Sequence, residues 1–186
     1  NLTIETLVDL SLAVVKAKAT KPEAETREAL LAFFRDRVAY QLETGGYPGP
    51  VRRSALVTGW TNLADLKARC VALSAFAEDA RFASLAQSAK RIGNILKDET
   101  PTESFDVAVL QQEEEKRLAE RLHALEATQA HTALLAALAE LAEPLEAFFN
   151  SVMVKCEDIA LRNARLSLLF RLRKAFLRVA DFSQWQ

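Results

Sequence analysis

The sequence is poor in the residues that build disulfide frameworks, tight turns and metal sites. Of its 186 residues, two are cysteine, five are glycine and five are proline. Cys70 and Cys156 each lie alone in a helical pattern, with no C-x-x-C pair and no histidine at ligand spacing. This argues against a disulfide scaffold or a zinc centre and favours two reduced thiols in a cytoplasmic protein.

Long apolar runs and phosphate-binding loops are missing as well. No hydrophobic run approaches the roughly 20 residues that cross a bilayer, and no signal peptide opens the chain. Gly45-Gly46 belongs to a Pro-rich turn and not to a glycine-rich phosphate loop. We therefore expect no membrane span, no cofactor and no metal in this chain. Its abrupt amphipathic start indicates a fragment of a longer protein.

The charges are segregated along the chain although the net charge is only −1. Acidic residues are absent from 44–64, 80–97 and 159–180, and the last of these windows contains six Arg or Lys residues. The stretch 103–146 instead has ten acidic residues against three basic ones. A basic face opposite an acidic one is typical of phosphate-binding modules, although solvated helix faces give similar runs.

Apolar residues recur every three or four positions, and no segment is patterned as a strand. Breaks are expected near Pro22, over 45–50 and over 100–104, and Asn62 and Asp158 are predicted N-caps. Pro144 should kink or restart the helix predicted over 132–151. The pattern predicts an all-α fold, an antiparallel bundle of seven to eight helices. Residues 1–20 would end a preceding region, and 21–186 would form the domain.

The last predicted helix has arginines inside its apolar stripe. At 100° per residue Arg165 lies in the middle of the arc that Leu161, Leu168 and Leu172 share. A buried guanidinium is costly without an acceptor. We therefore predict that Arg165 is a structural arginine, paired with a carboxylate such as Asp106 or Asp181.

Most of the aromatic residues have core spacing. We predict burial of six phenylalanines, at positions Phe33, Phe34, Phe76, Phe148, Phe149 and Phe176. Four other aromatic side chains are possible platforms for an unstacked base, namely Tyr47, Trp60, Phe170 and Trp185.

Three segments carry a family resemblance. The final helix A-L-R-x-x-R-L, continuing to F-L-R-V-A-D, resembles the last helix of DALR-type anticodon-binding domains. Its ending V-A-D-F-S, the segment A-K-R-I-G-N-I-L at 89–96 and L-E-A-F-F-N-S-V-M-V at 145–154 are most similar to the β subunit of bacterial heterotetrameric glycyl-tRNA synthetases. One departure is that Asn163 follows the first arginine, whereas the family usually places Asn before the second.

The resemblance implies a non-catalytic domain that recognises the anticodon loop of the glycine tRNA. Its partners would be that tRNA and the α subunit of an α2β2 enzyme. ATP and Mg would be used on the α subunit. Glycine anticodons contain two adjacent cytosines, and reading them requires donors toward N3 and O2, an acceptor for N4 and flat platforms for the rings.

The resemblance implies an RNA-binding surface, and charge and position supply its candidate residues. On the 89–96 segment we single out Lys90, Arg91 and Asn94, of which Lys90 and Asn94 share a helix face. The predicted contacts on the last helix are Arg162, Arg173, Lys174 and Arg178. Two alternatives stay open: a helical protein-interaction module without RNA, and the anticodon domain of an arginyl-tRNA synthetase.

Overall fold

The computed structural model describes residues 2–15 and 22–185, and within them every regular element is helical. Short 3₁₀ turns cover Val107–Val109 and Phe182–Gln184. The α-helices in chain order are α1 Ile4–Val15, α2 Glu23–Thr44, α3 Gly49–Thr58, α4 Leu63–Phe76, α5 Phe82–Leu96, α6 Glu113–Ala127, α7 His131–Ala139, α8 Ala142–Ser151 and α9 Ile159–Leu177. The predicted all-α class is confirmed. No helix in 2–15 or 22–185 has the length and apolarity that a membrane crossing needs.

Local capping determines where several helices begin. The Asn62 side chain accepts the Asp65 amide at 3.1 Å, and Asp158 accepts the Leu161 amide at 3.1 Å. Both predicted N-caps are therefore confirmed. The side chains satisfy amides that have no partner within the helix.

The helix predicted over 132–151 is interrupted and forms two helices. α7 ends at Ala139, and α8 begins at Ala142 with Pro144 in its first turn. Proline is tolerated there, because the first amides of a helix have no intrahelical acceptor. The expected restart is thus confirmed, and it raises the number of α-helices in the described ranges to nine, against the predicted seven to eight.

α9 runs through the centre of the C-terminal part of the bundle. It packs against α5 and α6 and against the 3₁₀ turn at Val107–Val109. Its residues Leu168, Leu169 and Leu172 are completely buried. Because α5 and α6 cover two sides of α9, the orientation of this helix decides which of its arginines are buried and which are exposed.

The N-terminal helices leave apolar side chains in solvent. α1 packs against α2, and the Ile4 amide donates to the Thr61 carbonyl at 2.9 Å. The prediction of a core position was wrong for Phe33 and Phe34, which are 51% and 37% exposed. α2 directs Val38 and Leu42 to the core instead, and periodicity alone does not identify which apolar stripe faces it. The predicted boundary between residues 20 and 21 lies outside the described residues.

Candidate nucleic-acid interface

One face of α5 is cationic and exposed. Lys90, Asn94 and Lys97 follow one another at i, i+4 and i+7, opposite the buried Leu85 and Ile92. Within the described ranges none of these three side chains has a hydrogen-bond or ion-pair partner. Their donors are therefore available to a ligand. Lys97 was not among the residues singled out from the sequence, although it continues the same stripe.

Arg91 lies on the flank of this face and is held flat by α8. Its guanidinium carbon is 4.3 Å from the centre of the Phe149 ring, and one of its nitrogens donates to the Phe149 carbonyl at 3.4 Å. Arg91 itself remains exposed. An arginine whose plane is fixed in this way can offer both charge and a flat surface to an unpaired base.

Gly93 lies within α5 beside the cationic stripe. No atom lies within 4 Å of where its Cβ would be, so packing inside the chain does not require glycine here. A glycine in a helix interior is less stable than alanine by roughly 0.5–1 kcal/mol. At this half-buried position no side chain covers the helix backbone next to the cationic stripe.

Arg165 is buried and paired. Its side chain and that of Glu115 on α6 are 4% and 0% exposed, and the two form an ion pair. The partner is Glu115, whereas the sequence had suggested Asp106 or Asp181. Those two aspartates cap the 3₁₀ turns instead.

The Arg165–Glu115 pair joins three parts of the chain. Arg165 also donates to the Met153 carbonyl at 2.8 Å, before α9 begins. The second carboxylate oxygen of Glu115 accepts the Gln111 and Gln112 amides at 2.8 and 3.0 Å. Arg165 therefore has a structural role.

Lys174, Arg171 and Arg178 line a cavity of about 380 Å³. Glu103 and Glu126 line the same cavity. Lys174 pairs with Glu103 at 2.7 Å, and Arg171 pairs with both oxygens of Glu126. The hydrogen bonds from Arg171 lower the pKa of the Glu126 carboxyl. The cations of this cavity are thus largely neutralised by acids, and the α5 cations do not line it.

Arg178 caps the end of α6. Its guanidinium donates to the Leu125 carbonyl at 3.0 Å, which also accepts the Thr128 amide at 3.1 Å, and to the carbonyl of the C-cap residue Thr128. Arg165 contacts Glu115 near the start of α6, and Arg178, the C-cap residue of α9, contacts Thr128, the C-cap residue of α6. The two helices therefore run side by side in the same direction. The predicted role of Arg178 in RNA binding stays a prediction.

Arg162 and Arg173 lie on one side of α9, three turns apart. Arg173 is exposed and Arg162 half-buried, and neither side chain has a partner among the residues that the structure describes. Leu166 and Leu169, between them on that side, are buried. These two arginines therefore flank a covered stretch of helix and do not form a continuous patch.

The predicted stacking residues are half-buried against the core. Trp60 and Arg178 line a small cavity of about 180 Å³, together with Asp65 and Arg69. Tyr47 contributes instead to a groove between the N-terminal helices. Phe170 and Trp185 also pack against the core. The structure does not gather these rings around the α5 face.

Arg69 is a buried arginine that the sequence reasoning missed. It donates to the Asp65 carboxylate at 2.8 Å, the Ala55 carbonyl at 2.7 Å, the Thr58 hydroxyl at 2.8 Å and the Val179 carbonyl at 3.2 Å. The i, i+4 spacing of Asp65 and Arg69 was the available signal. It does not distinguish a buried pair from a solvated one.

His131 pairs with Asp65 and does not belong to a group of metal ligands within the described residues. Its Nε2 lies 2.8 Å from an Asp65 oxygen, and no group of three potential ligands is present within 2–15 and 22–185. Burial would raise the pKa of Asp65, but hydrogen bonds from Arg69 and His131 outweigh it and lower that pKa.

Two comparisons relate the sequence of this chain to known proteins. The sequence pattern of the DALR anticodon binding domain matches residues 80–179, which contain α5 to α9. The glycine–tRNA ligase beta subunit of Janthinobacterium sp. (strain Marseille) is 39% identical over 97% of this chain and 28% of its own length. The corresponding beta subunit of Vibrio parahaemolyticus is 37% identical over 100% of this chain and 28% of its own length. The chain thus spans under a third of these curated relatives.

Proposed function

The chain belongs to the DALR anticodon binding domain family, and from that membership we propose that it holds the anticodon stem-loop of the glycine tRNA. In this proposal the α5 face contacts the RNA, and the chain performs no chemical step. Its similarity to glycine–tRNA ligase beta subunits supports the choice of tRNA.

The observation that carries the proposal is the unpaired donor set on α5. Lys90, Asn94 and Lys97 have no partner in the described part of the chain, whereas Arg165, Arg171 and Lys174 are held in internal ion pairs. Phosphate neutralisation supplies much of the affinity of nucleic-acid complexes. In addition, Asn94 and Arg91 can donate to the N3 and O2 acceptors of an unstacked cytosine.

We further propose the setting of the whole protein. The chain would be part of a glycine–tRNA ligase beta subunit and would assemble with an α subunit as α2β2 in the cytoplasm. ATP and Mg would be used on the α subunit. The role of this domain would be to position the tRNA so that its acceptor end reaches that subunit.

Binding to glycine tRNA tests the proposal directly. We expect the Lys90→Ala, Arg91→Ala double variant to weaken binding at least tenfold, because two cations next to the RNA are lost. The plot of log affinity against log salt should also become shallower, by roughly one to two units. Fluorescence anisotropy over a salt series measures both quantities.

Two controls accompany this experiment. Lys116→Ala removes an exposed cation from the acidic helix α6 and should leave affinity unchanged. A transcript with both anticodon cytosines replaced should bind the parent chain at least tenfold more weakly. Equal affinity for the two transcripts would exclude anticodon reading and would favour a helical protein-interaction module.

Gly93→Ala should change stability and binding in opposite directions. Alanine is expected to stabilise α5 by roughly 0.5–1 kcal/mol, and the open space at this position accepts the methyl group. If RNA approaches the helix backbone here, the same methyl should weaken tRNA binding severalfold. Thermal unfolding and anisotropy give the two readouts. Higher stability with unchanged affinity would place the RNA away from Gly93.

A further inference from the structure

An apolar groove lies between α1, α2 and α4. It has a volume of about 820 Å³. Its floor is formed by buried side chains of Ile4, Val38, Leu42 and Leu66. The groove is built from residues 4–67 and is therefore outside the 80–179 match, so anticodon binding does not account for it.

The walls of the groove are hydrophobic and exposed. Leu7 on α1, Phe34 on α2 and Leu63 on α4 line it, and Leu63 is 50% exposed. Three helices thus present apolar side chains to one space. Exposed apolar surface that is gathered in a concave site is typical of a docking site rather than of scattered surface residues.

The rim of the groove is cationic. Arg37 of α2 and Lys67 of α4 both line the groove, and no acidic residue is among the described residues that line it. Arg37 lies 5.3 Å from the centre of the Phe33 ring, and neither cation forms an ion pair within 2–15 and 22–185. An apolar floor between two cations complements a helix whose apolar stripe is flanked by carboxylates.

We propose that this groove binds an acidic amphipathic helix from another region of the same full-length polypeptide. In the curated relatives the region similar to this chain is about 28% of one longer polypeptide. A segment tethered to the groove has a higher effective concentration than a free partner. The inference does not rest on tRNA binding, because the groove and the α5 face consist of different helices.

Occupancy of the groove can be measured with a matched pair of cysteine variants in the full-length gene product. Leu63 and Val71 are both on α4 and are 50% and 54% exposed, but only Leu63 lines the groove. A docked helix should make Leu63→Cys react with a maleimide at least tenfold more slowly than Val71→Cys. Fragmentation of the labelled peptides by tandem mass spectrometry distinguishes position 71 from the adjacent, buried Cys70, and Cys156 lies on a different peptide. Equal rates would overturn the proposal.

The identity of the occupant follows from carbodiimide crosslinking of the same protein. This reagent joins the Lys67 amine to a contacting carboxylate as an amide, with loss of water. We expect Lys67 to be joined to an Asp or Glu outside these 186 residues in the same polypeptide, and Leu63→Glu to reduce the product at least fivefold. Val71→Glu should leave it within twofold.

Mixing isotopically light and heavy protein distinguishes one chain from two. A product that joins a light to a heavy peptide would identify a second copy, and a product with another subunit would identify a separate partner. Either result would overturn the proposal. The proposal would also be overturned if the parent protein gave no more crosslinked product than the Leu63→Glu variant. None of these outcomes changes the expectation for tRNA binding by α5.

Discussion

Replacing Arg165 with alanine is expected to lower the free energy of unfolding by about 3–5 kcal/mol, because the change leaves the Glu115 carboxylate buried without its partner. Domains of this kind are stable by about 5–15 kcal/mol in total. The loss corresponds to a fall in melting temperature of roughly 6–20 °C for a chain of this length. Urea unfolding followed by circular dichroism measures the free energy.

The matched control is Arg162→Ala. Arg162 is three residues earlier on α9 and half-buried, but it has no ion-pair partner in the described part of the chain. Its loss should cost under about 1 kcal/mol, as expected of substitutions away from buried networks. If the two variants had the same free energy of unfolding, the buried ion pair would not stabilise the fold more than an unpaired arginine does.

A double variant distinguishes the loss of the attraction between Arg165 and Glu115 from the cost of leaving one of the two charges buried without a partner. Arg165→Met with Glu115→Gln removes both charges and keeps an amide oxygen for the Gln111 and Gln112 amides. It should be more stable than Arg165→Ala alone, because isolated buried charge is more costly than a neutral pair. A double variant that was less stable than the single one would show that the ion pair itself is the larger contribution.

Arg69→Ala is the second change with a large expected effect. Arg69 holds the end of α3, the start of α4 and the end of α9 together through the Ala55, Gly59 and Val179 carbonyls and the Asp65 carboxylate. Each buried acceptor left without a donor costs about 1–3 kcal/mol. We expect a total loss of roughly 3–5 kcal/mol in urea unfolding.

Two further variants test the geometry of this site. Arg69→Lys keeps the charge but not the planar fork that reaches several acceptors at once, so it should recover only a small part of the loss. Lys67→Ala, two residues away and exposed, should be close to neutral in the isolated chain. Hydrogen exchange should accelerate first at the end of α3 and near Val179. If Arg69→Lys had the full stability of the parent chain, the positive charge alone would account for the contribution of Arg69.

The two buried arginines show where sequence reasoning was sufficient and where it was not. The apolar arc of α9 placed Arg165 among leucines, and this needed only the 3.6-residue period. Its partner was predicted among Asp106 and Asp181 but is Glu115. Which carboxylate faces Arg165 depends on α6 lying parallel to α9, and that arrangement follows from packing between distant segments.

The α5 face and the N-terminal helices illustrate the same distinction. Lys90, Arg91 and Asn94 could be singled out because they lie in an acid-free window and in a segment that carries the family resemblance. The Phe149 ring beneath Arg91 could not, because α8 is far from α5 in the chain. Phe33 and Phe34 have core spacing in the sequence, yet they are exposed.

The sequence by itself determined the helical class, the caps at Asn62 and Asp158 and the restart that places Pro144 in the first turn of α8, because these depend on interactions within a few residues. It also carried the family resemblance. Only the tertiary structure decided which cations are internally paired, as with Arg165, and which remain open, as with Lys90. The physical reason is that the energy of a charged side chain depends on its burial and its partner, and both are supplied by helices distant in sequence.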